Sequence, residues 1–486
     1  MTTQNGQQVG GHSPNGEIKD SLVLGETSQG IEIHATLLRL TRFVAVFEIY
    51  NPALVLRTSE VLTTFKIVVR DRTIYSGRAV VCSLVNAGLM TVCEVTLNEN
   101  SWLDVAFALE MIGNGKLRDE FQSFLREWQK LYKILPEYKV IVADMQTFLA
   151  DLRIWLDQVE LGIRSTPAND RLRLEQDVAE ELAAPIIPCV DILFEKFEAI
   201  AQNLDEDLRP AHCNYMRRQL HPFVLSAPFA YRAFHKPLGY AGDYEMVNMI
   251  ARNGYEGGSL FAKMVNTWFL RQPPAQAHRN RISYLAQLLV QETSRVAAAG
   301  RSARILDLAC GPAQEIQAFL NDSPVSGKTH VTLLDFNQET LHYVHDTLGE
   351  IKHRNSRETL IECVKKSVHQ ILKESGRTVQ QSPAQQYDFV CCAGLFDYLS
   401  DQVCHKLLDI MYEWLTPGGL LIATNVEPSN PLRNGMDHLL DWHLIYRTGP
   451  QLQKLAPAKA IAEATSIRSD STGVNVFLEV RKPGHA

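Results

Sequence analysis

Ile305-Leu306-Asp307-Leu308-Ala309-Cys310-Gly311-Pro312-Ala313-Gln314-Glu315, or ILDLACGPAQE, is the stretch whose reading decides the fold. It begins as an apolar β-forming run, passes through a turn of small residues and opens an amphipathic segment. A strand feeding a helix through a tight turn is the unit of open α/β sheets. Such sheets bind ligands beyond the carboxyl ends of their strands. Gly311 permits close approach to the backbone, and the following helix offers free N–H groups. Ala309 and Ala313 stand where nucleotide-binding loops usually carry glycine. Each methyl narrows the loop and disfavours positive φ without closing it.

Working outward, HVTLLDF (330–336), YDFVCCAG (387–394), GGLLIATN (418–425) and VNVFLEVRKP (474–483) are further strands separated by amphipathic segments. The alternation predicts an α/β fold with a parallel sheet. Asp335 ends the second strand, where a carboxylate can accept hydrogen bonds from ribose hydroxyls. A helix N-cap is the competing reading of that acid. Leu415-Thr416-Pro417-Gly418-Gly419-Leu420 sets a turn before a strand ending in Asn425.

The chain has 486 residues, of which 45% are hydrophobic and 21% charged, with a net charge of -7. At roughly 100–200 residues per domain, two to four domains are expected. No long basic run argues for nucleic acid, and no apolar run reaches the ~18–20 residues of a membrane span. The polar start, MTTQNGQQVGGHSPNGEIKD, lacks the charged and apolar regions of a signal peptide. Nine cysteines without a CxxC pair predict reduced thiols, a cytoplasmic location and no metal site.

The expected organisation is a tail over 1–28, a small all-β barrel over 29–105, a helical region over 106–210 and an α/β domain with a helical cap over 211–486. FVAVFEIY, TFKIVVR, TIYSGRAVVCSLV and MTVCEVTL supply the strands, with turns at Asn51-Pro52 and Asn86-Ala87-Gly88. Phe121, Phe124, Leu125, Trp128, Leu131 and Ile134 recur at helical spacing. Two long helices follow, separated near Ser165–Asp170. Apolar stripes of this kind serve as core or as a homodimer seam, and the barrel is an alternative dimer contact.

Two stretches carry candidate chemistry. In Lys236–Glu245, Tyr240 and Tyr244 are candidates to line a reaction site; Asp243 either contacts a ligand amine or caps the next helix. In NPLRNGMDHLLDWHLIYRT (430–448), a continuous helix puts Asp437, Asp441 and Leu444 on one face and His438, Trp442 and Ile445 on another. His438 or His443 is then a candidate base, and Arg447 a bidentate anchor for a carboxylate.

Through ILDLACGPA, Asp335 and LTPGGLLIATN, residues about 280–482 resemble the class I S-adenosylmethionine-dependent methyltransferases. The resemblance implies a Rossmann-like, mostly parallel seven-stranded sheet with S-adenosyl-L-methionine as cofactor. It implies that Asp307, Ala309 and Gly311 hold the methionine part, and that Asp335 and Phe336 lie at the ribose. Ser367 and Val368 are implied near the adenine, and Gly394 and Leu395 at the cleft. A nicotinamide site is disfavoured because the loop keeps one glycine of GxGxxG.

HKPLGYAGDYEMVN (235–248), SLFAKMVNTWFLRQPPAQAHRNRISYL (259–285) and MDHLLDWHLIYRT (436–448) resemble bacterial extracellular-factor methyltransferases. Those are described as making 3-hydroxypalmitic acid methyl ester, a signal. This implies carboxyl O-methylation of a small acidic substrate, a hydroxy fatty acid. Transfer or cyclisation of the cofactor's aminocarboxypropyl arm uses the same pocket, and a sensor that only binds the cofactor is the rival class. Residues about 31–100 resemble the PilZ fold, whose members often bind cyclic di-GMP through RxxxR. Here Arg39-Leu40-Thr41-Arg42 is one residue short and the companion turn lacks its serine and glycine, which implies a barrel used for protein contact.

Overall fold

The computed structural model describes residues 21–49, 55–69, 72–86, 90–103, 134–375 and 386–484, with Arg118, Phe121, Gln122 and Leu125. The expected turns at Asn51-Pro52 and Ala87-Gly88, and the helix built on Phe124, Trp128 and Leu131, lie outside these residues.

Six antiparallel strands close a barrel in the order β1-β2-β3-β6-β5-β4. They are β1 (Ser21–Glu26), β2 (Glu32–Leu40), β3 (Val44–Ile49), β4 (Val61–Val69), β5 (Arg72–Asn86) and β6 (Thr91–Leu97). Alternating side chains fill the interior, among them Val23, Leu37, Phe47, Phe65, Tyr75 and Val95. Strand β1 corrects the expected tail: Val23 is fully buried, so ordered structure begins before residue 28.

The helical region holds α1 (Pro136–Arg164), α2 (Ala168–Ala201), α3 (Arg209–Val224), α4 (Pro228–His235), α5 (Tyr244–Arg252), α6 (Leu260–Arg271) and α7 (Pro273–Ala298). Helices α1 to α6 share one apolar core in which Tyr138, Phe197, Met216, Phe261 and Leu270 are buried.

The C-terminal sheet has seven strands: β7 (Ala303–Leu308), β8 (Thr329–Asp335), β9 (Leu360–Lys365), β10 (Tyr387–Cys392), β11 (Leu415–Val426), β12 (Thr465–Ser469) and β13 (Asn475–Arg481). Their order is β12-β13-β11-β10-β7-β8-β9, and only β13 runs antiparallel to its neighbours. Leu306, Leu308 and Val390 pack on one face, Ile305, Phe389 and Cys391 on the other. Burial on both faces is why these strands read as nearly unbroken apolar runs. The interleaved helices are α8 (Gln314–Asp322), α9 (Gln338–Arg354), α10 (Val368–Ser375), α11 (Asp401–Glu413), α12 (Arg433–Leu440) and α13 (Gly449–Gln453). The chain runs from β7 to β8 and β9 on one side, then returns to β10 on the other. That reversal opens a crevice beyond the carboxyl ends of β7 and β10.

Candidate active site

The crevice is a cavity walled by the β7–α8 turn, the ends of β8 and β10, helices α5 and α7, and residues Val55, Arg57 and Thr58 of the barrel. Asp307, Ala309, Gly311, Asp335, Phe336 and Leu395 all line it, as do Tyr240, Tyr244, Val368 and Gly394.

Strand β7 brings Asp307 to the cavity floor with 1% exposure. Its Oδ1 accepts from the Cys391 thiol at 3.3 Å, while Oδ2 is buried without a hydrogen-bond partner. Burial, then the neighbouring Glu315, pushes this carboxyl well above its usual value. A bound ammonium would satisfy the free oxygen and favour the ionised form. A Cβ built on Gly311 meets nothing within 4 Å, so the turn is open on that side. The open turn and the unpaired Oδ2 of Asp307 fit a ligand with an amino-acid end.

At the end of β8, Asp335 Oδ2 accepts from the Gly311 amide at 3.2 Å and Oδ1 from the Asn337 amide at 2.8 Å. The cap of α9 is Asn337, whose side chain accepts from the Thr340 amide at 3.0 Å, which removes the cap reading of Asp335. Burial raises the Asp335 carboxyl, against the lowering effect of those amides. The Phe336 ring lies 5.0 Å from that of Tyr240, and the Arg57 guanidinium lies 4.3 Å from the Phe336 centroid.

The expected Ser367 contact is corrected. Val368, Lys366 and His369 line the cavity, but Ser367 turns inward: its Oγ accepts from the Gln370 amide at 3.3 Å and its amide donates to Gln370 Oε1 at 2.8 Å. Asp243 is likewise the helix cap and no part of the cavity wall. It accepts from the Glu245 and Met246 amides at 3.1 and 3.0 Å and pairs with Arg232 Nε at 2.8 Å.

The continuous helix expected within 430–448 is also corrected. Helix α12 ends at Leu440 because Asp441 adopts a left-handed conformation, φ 52°. The faces predicted for the residues beyond it therefore do not form. Arg447, 2% exposed, is held by Asn425 Oδ1 at 2.7 Å, the Phe396 and Leu399 carbonyls and Asp401, away from the cavity. His438 is fully buried with Nδ1 2.8 Å from the Tyr138 hydroxyl. His443 lies between Asp437 and Asp441, at 3.4 and 2.9 Å. Burial alone would lower its imidazole, but the two carboxylates outweigh that and raise it to about 9. A residue already protonated at neutral pH, in a separate cleft, is no base for this cavity.

Arg281, His278 and Arg57 are among the cavity-lining residues that escaped the sequence reading. Arg281, 8% exposed, faces Gly394, where an added Cβ would stand 3.0 Å from the guanidinium. His278, one turn earlier on α7, is held well below its usual value by burial and then by Arg281 and Arg279, so it is neutral. Their i, i+3 spacing on the helix before β7 was the available signal. Arg57 comes from the barrel, and no local pattern announces it.

Residues 305–419 match the family model described as "Methyltransferase domain". No curated protein matches the chain. Similar solved structures include a possible exported protein from Bordetella parapertussis, 15% identical, with 62% of this chain and 97% of that one covered and a TM-score of 0.41. The N-methyltransferase NodS from Bradyrhizobium japonicum, in complex with S-adenosyl-L-homocysteine, is 16% identical over 49% of this chain and 98% of its own, with a TM-score of 0.30. Magnesium protoporphyrin IX methyltransferase from Synechocystis, also with that product bound, is 10% identical over 48% and 93%, with a TM-score of 0.31. Likenesses this distant carry nothing about a substrate. The match over residues 305–419 lies on the strands and turn that build the cavity, so the crevice stands where a methyltransferase domain on a seven-stranded, mostly parallel sheet takes S-adenosylmethionine.

Proposed function

We propose that the protein methylates the carboxylate of a small acid with an apolar chain, a hydroxylated fatty acid, releasing its methyl ester. The cofactor supplies an electrophilic methyl on a sulfonium. A carboxylate acceptor attacks it directly and needs no base. What remains for the protein is alignment and exclusion of water.

The observation that carries this reading is a cavity whose lining combines a buried guanidinium with apolar side chains. Arg281 offers a buried cation for a carboxylate. Ile250, Ile282, Met436, Leu444 and Val474 supply the apolar wall. An apolar void next to it shares Ile250, Pro274, Met436 and Trp442, and a second void among the helices shares Phe194, Trp268 and Phe269 with the first. This succession supports an acyl chain directed into the helical core. Asp307, Ala309 and Gly311 would hold the methionine part, Asp335 and Phe336 the ribose side, and Tyr240 and Tyr244 the rim.

Incubation of purified protein with S-adenosylmethionine and 3-hydroxy acids of graded chain length should yield methyl esters and S-adenosylhomocysteine, detected by mass spectrometry. Cofactor binding without turnover on any acid would sink this reading in favour of a sensor. The neutral imidazole of His278 favours a second reading, an acceptor that must lose a proton, such as a hydroxyl. An ether product in place of the ester would establish it.

A further inference from the structure

The barrel reaches the cofactor cavity through Gln29 of the β1–β2 turn and through Val55, Arg57 and Thr58 of the segment Val55–Glu60, and the strongest group it brings is Arg57. The residue is 7% exposed. One terminal nitrogen donates to Ser28 Oγ at 3.2 Å, and Nε is buried without a hydrogen-bond partner, 3.8 Å from Glu60 Oε2. The guanidinium lies 4.3 Å from the Phe336 centroid and 5.4 Å from that of Tyr240. Phe336 directly follows Asp335, whose carboxylate it shares the cavity with.

Glu60, 1% exposed, fixes the segment: Oε2 accepts from the Arg57 amide at 3.1 Å, and Oε1 accepts from the Ser28 amide at 3.1 Å and its hydroxyl at 2.7 Å. The segment is also tied to the transferase domain. The Thr58 amide donates to the Tyr398 carbonyl at 3.2 Å, the Val61 amide to the Gly239 carbonyl at 2.7 Å, and Ser59 Oγ to the His443 carbonyl at 3.0 Å. A cation poised on two rings, held on both sides and left with a partnerless donor, is organised for more than docking.

We propose that the barrel completes the S-adenosylmethionine site, with Arg57 as the wall over its adenosyl side, so that cofactor affinity depends on a residue outside the transferase domain. The inference rests on the methyltransferase reading. A planar guanidinium stacked against rings stabilises an adjoining π-face, and its free N–H is a donor for ribose or adenine acceptors.

The test is calorimetric titration of the full chain with S-adenosylhomocysteine, paired with thermal melts. Arg57→Ala and Arg57→Lys should each weaken binding by about tenfold or more. Both should raise the Michaelis constant for S-adenosylmethionine with kcat little changed. The Lys variant keeps the charge beside Glu60 and serves if the Ala variant fails to fold. Thr96→Val removes a barrel-to-transferase hydrogen bond between two residues outside the cavity lining, from Thr96 Oγ1 to Asp441 Oδ2 at 3.1 Å. It should lower the melting temperature and leave affinity unchanged. Wild-type affinity in a folded Arg57 variant overturns the inference, as does equal weakening by Thr96→Val. A wild-type chain that binds no S-adenosylhomocysteine refutes the methyltransferase reading itself.

Discussion

Ala309 and Ala313 hold φ values of 58° and 50°, a region in which an L-residue costs about 1–2 kcal/mol relative to its usual conformations. The turn keeps them there because Gly311 follows the same left-handed path and the Cys310 amide is fixed to the Leu334 carbonyl at 3.1 Å. Glycine at 309 relieves the strain but adds about 0.5–1 kcal/mol of chain entropy. Ala309→Gly should therefore leave stability within about 1 kcal/mol of wild type in urea denaturation; a larger loss would show that the methyl packs as well as strains. A second residue carries a pH signature. His443 is raised to about 9 from 6.5 once burial is outweighed by Asp437 and Asp441. A raised imidazole contributes stability that is complete below pH 6.5 and is lost as pH rises through about 9. Melting temperature should fall across that window, and His443→Gln should flatten the slope.

Among the elements, α5 shows how a residue read as a ligand contact becomes a structural one. Asp243 begins the helix and neutralises Arg232 from α4, so one carboxylate fixes the angle between two helices. Asp243→Ala should cost about 2–4 kcal/mol, combining a lost cap with an unpaired guanidinium. Asp243→Asn, which keeps the capping oxygen, should recover a large part of that in chemical denaturation. The strands of the sheet were legible because burial on both faces leaves a continuous apolar signature. The end of α12 was not. Local spacing from Met436 to Arg447 suits a helix, and the break is imposed from far along the chain. Arg217 of α3, at 3.0 Å, and Thr96 of the barrel, at 3.1 Å, hold the Asp441 carboxylate at the left-handed residue that ends the helix. Arg447 fell outside the cavity for that reason, whereas His438, inside α12, is turned to the Tyr138 hydroxyl of α1.

Across the whole molecule, the parallel sheet, the barrel and the β7–α8 turn could be read from the sequence, since each rests on local periodicity and turn chemistry. The far wall of the site could not: Arg57, Arg281 and His278 meet only when the barrel, α7 and β10 are assembled. The barrel does more than sit beside the sheet. Arg78 caps the end of α4 by donating to the Phe234 and His235 carbonyls at 3.2 Å, Ser59 joins the backbone of His443, and a Cβ on Gly239 would stand 2.8 Å from that of Ser28. A joint made of matched carbonyls and one obligatory glycine leaves little room for a foreign module. This barrel is therefore not an exchangeable cassette: a chimera carrying another barrel of the same shape would need the Ser28, Arg57–Glu60 and Gly239 set rewritten with it.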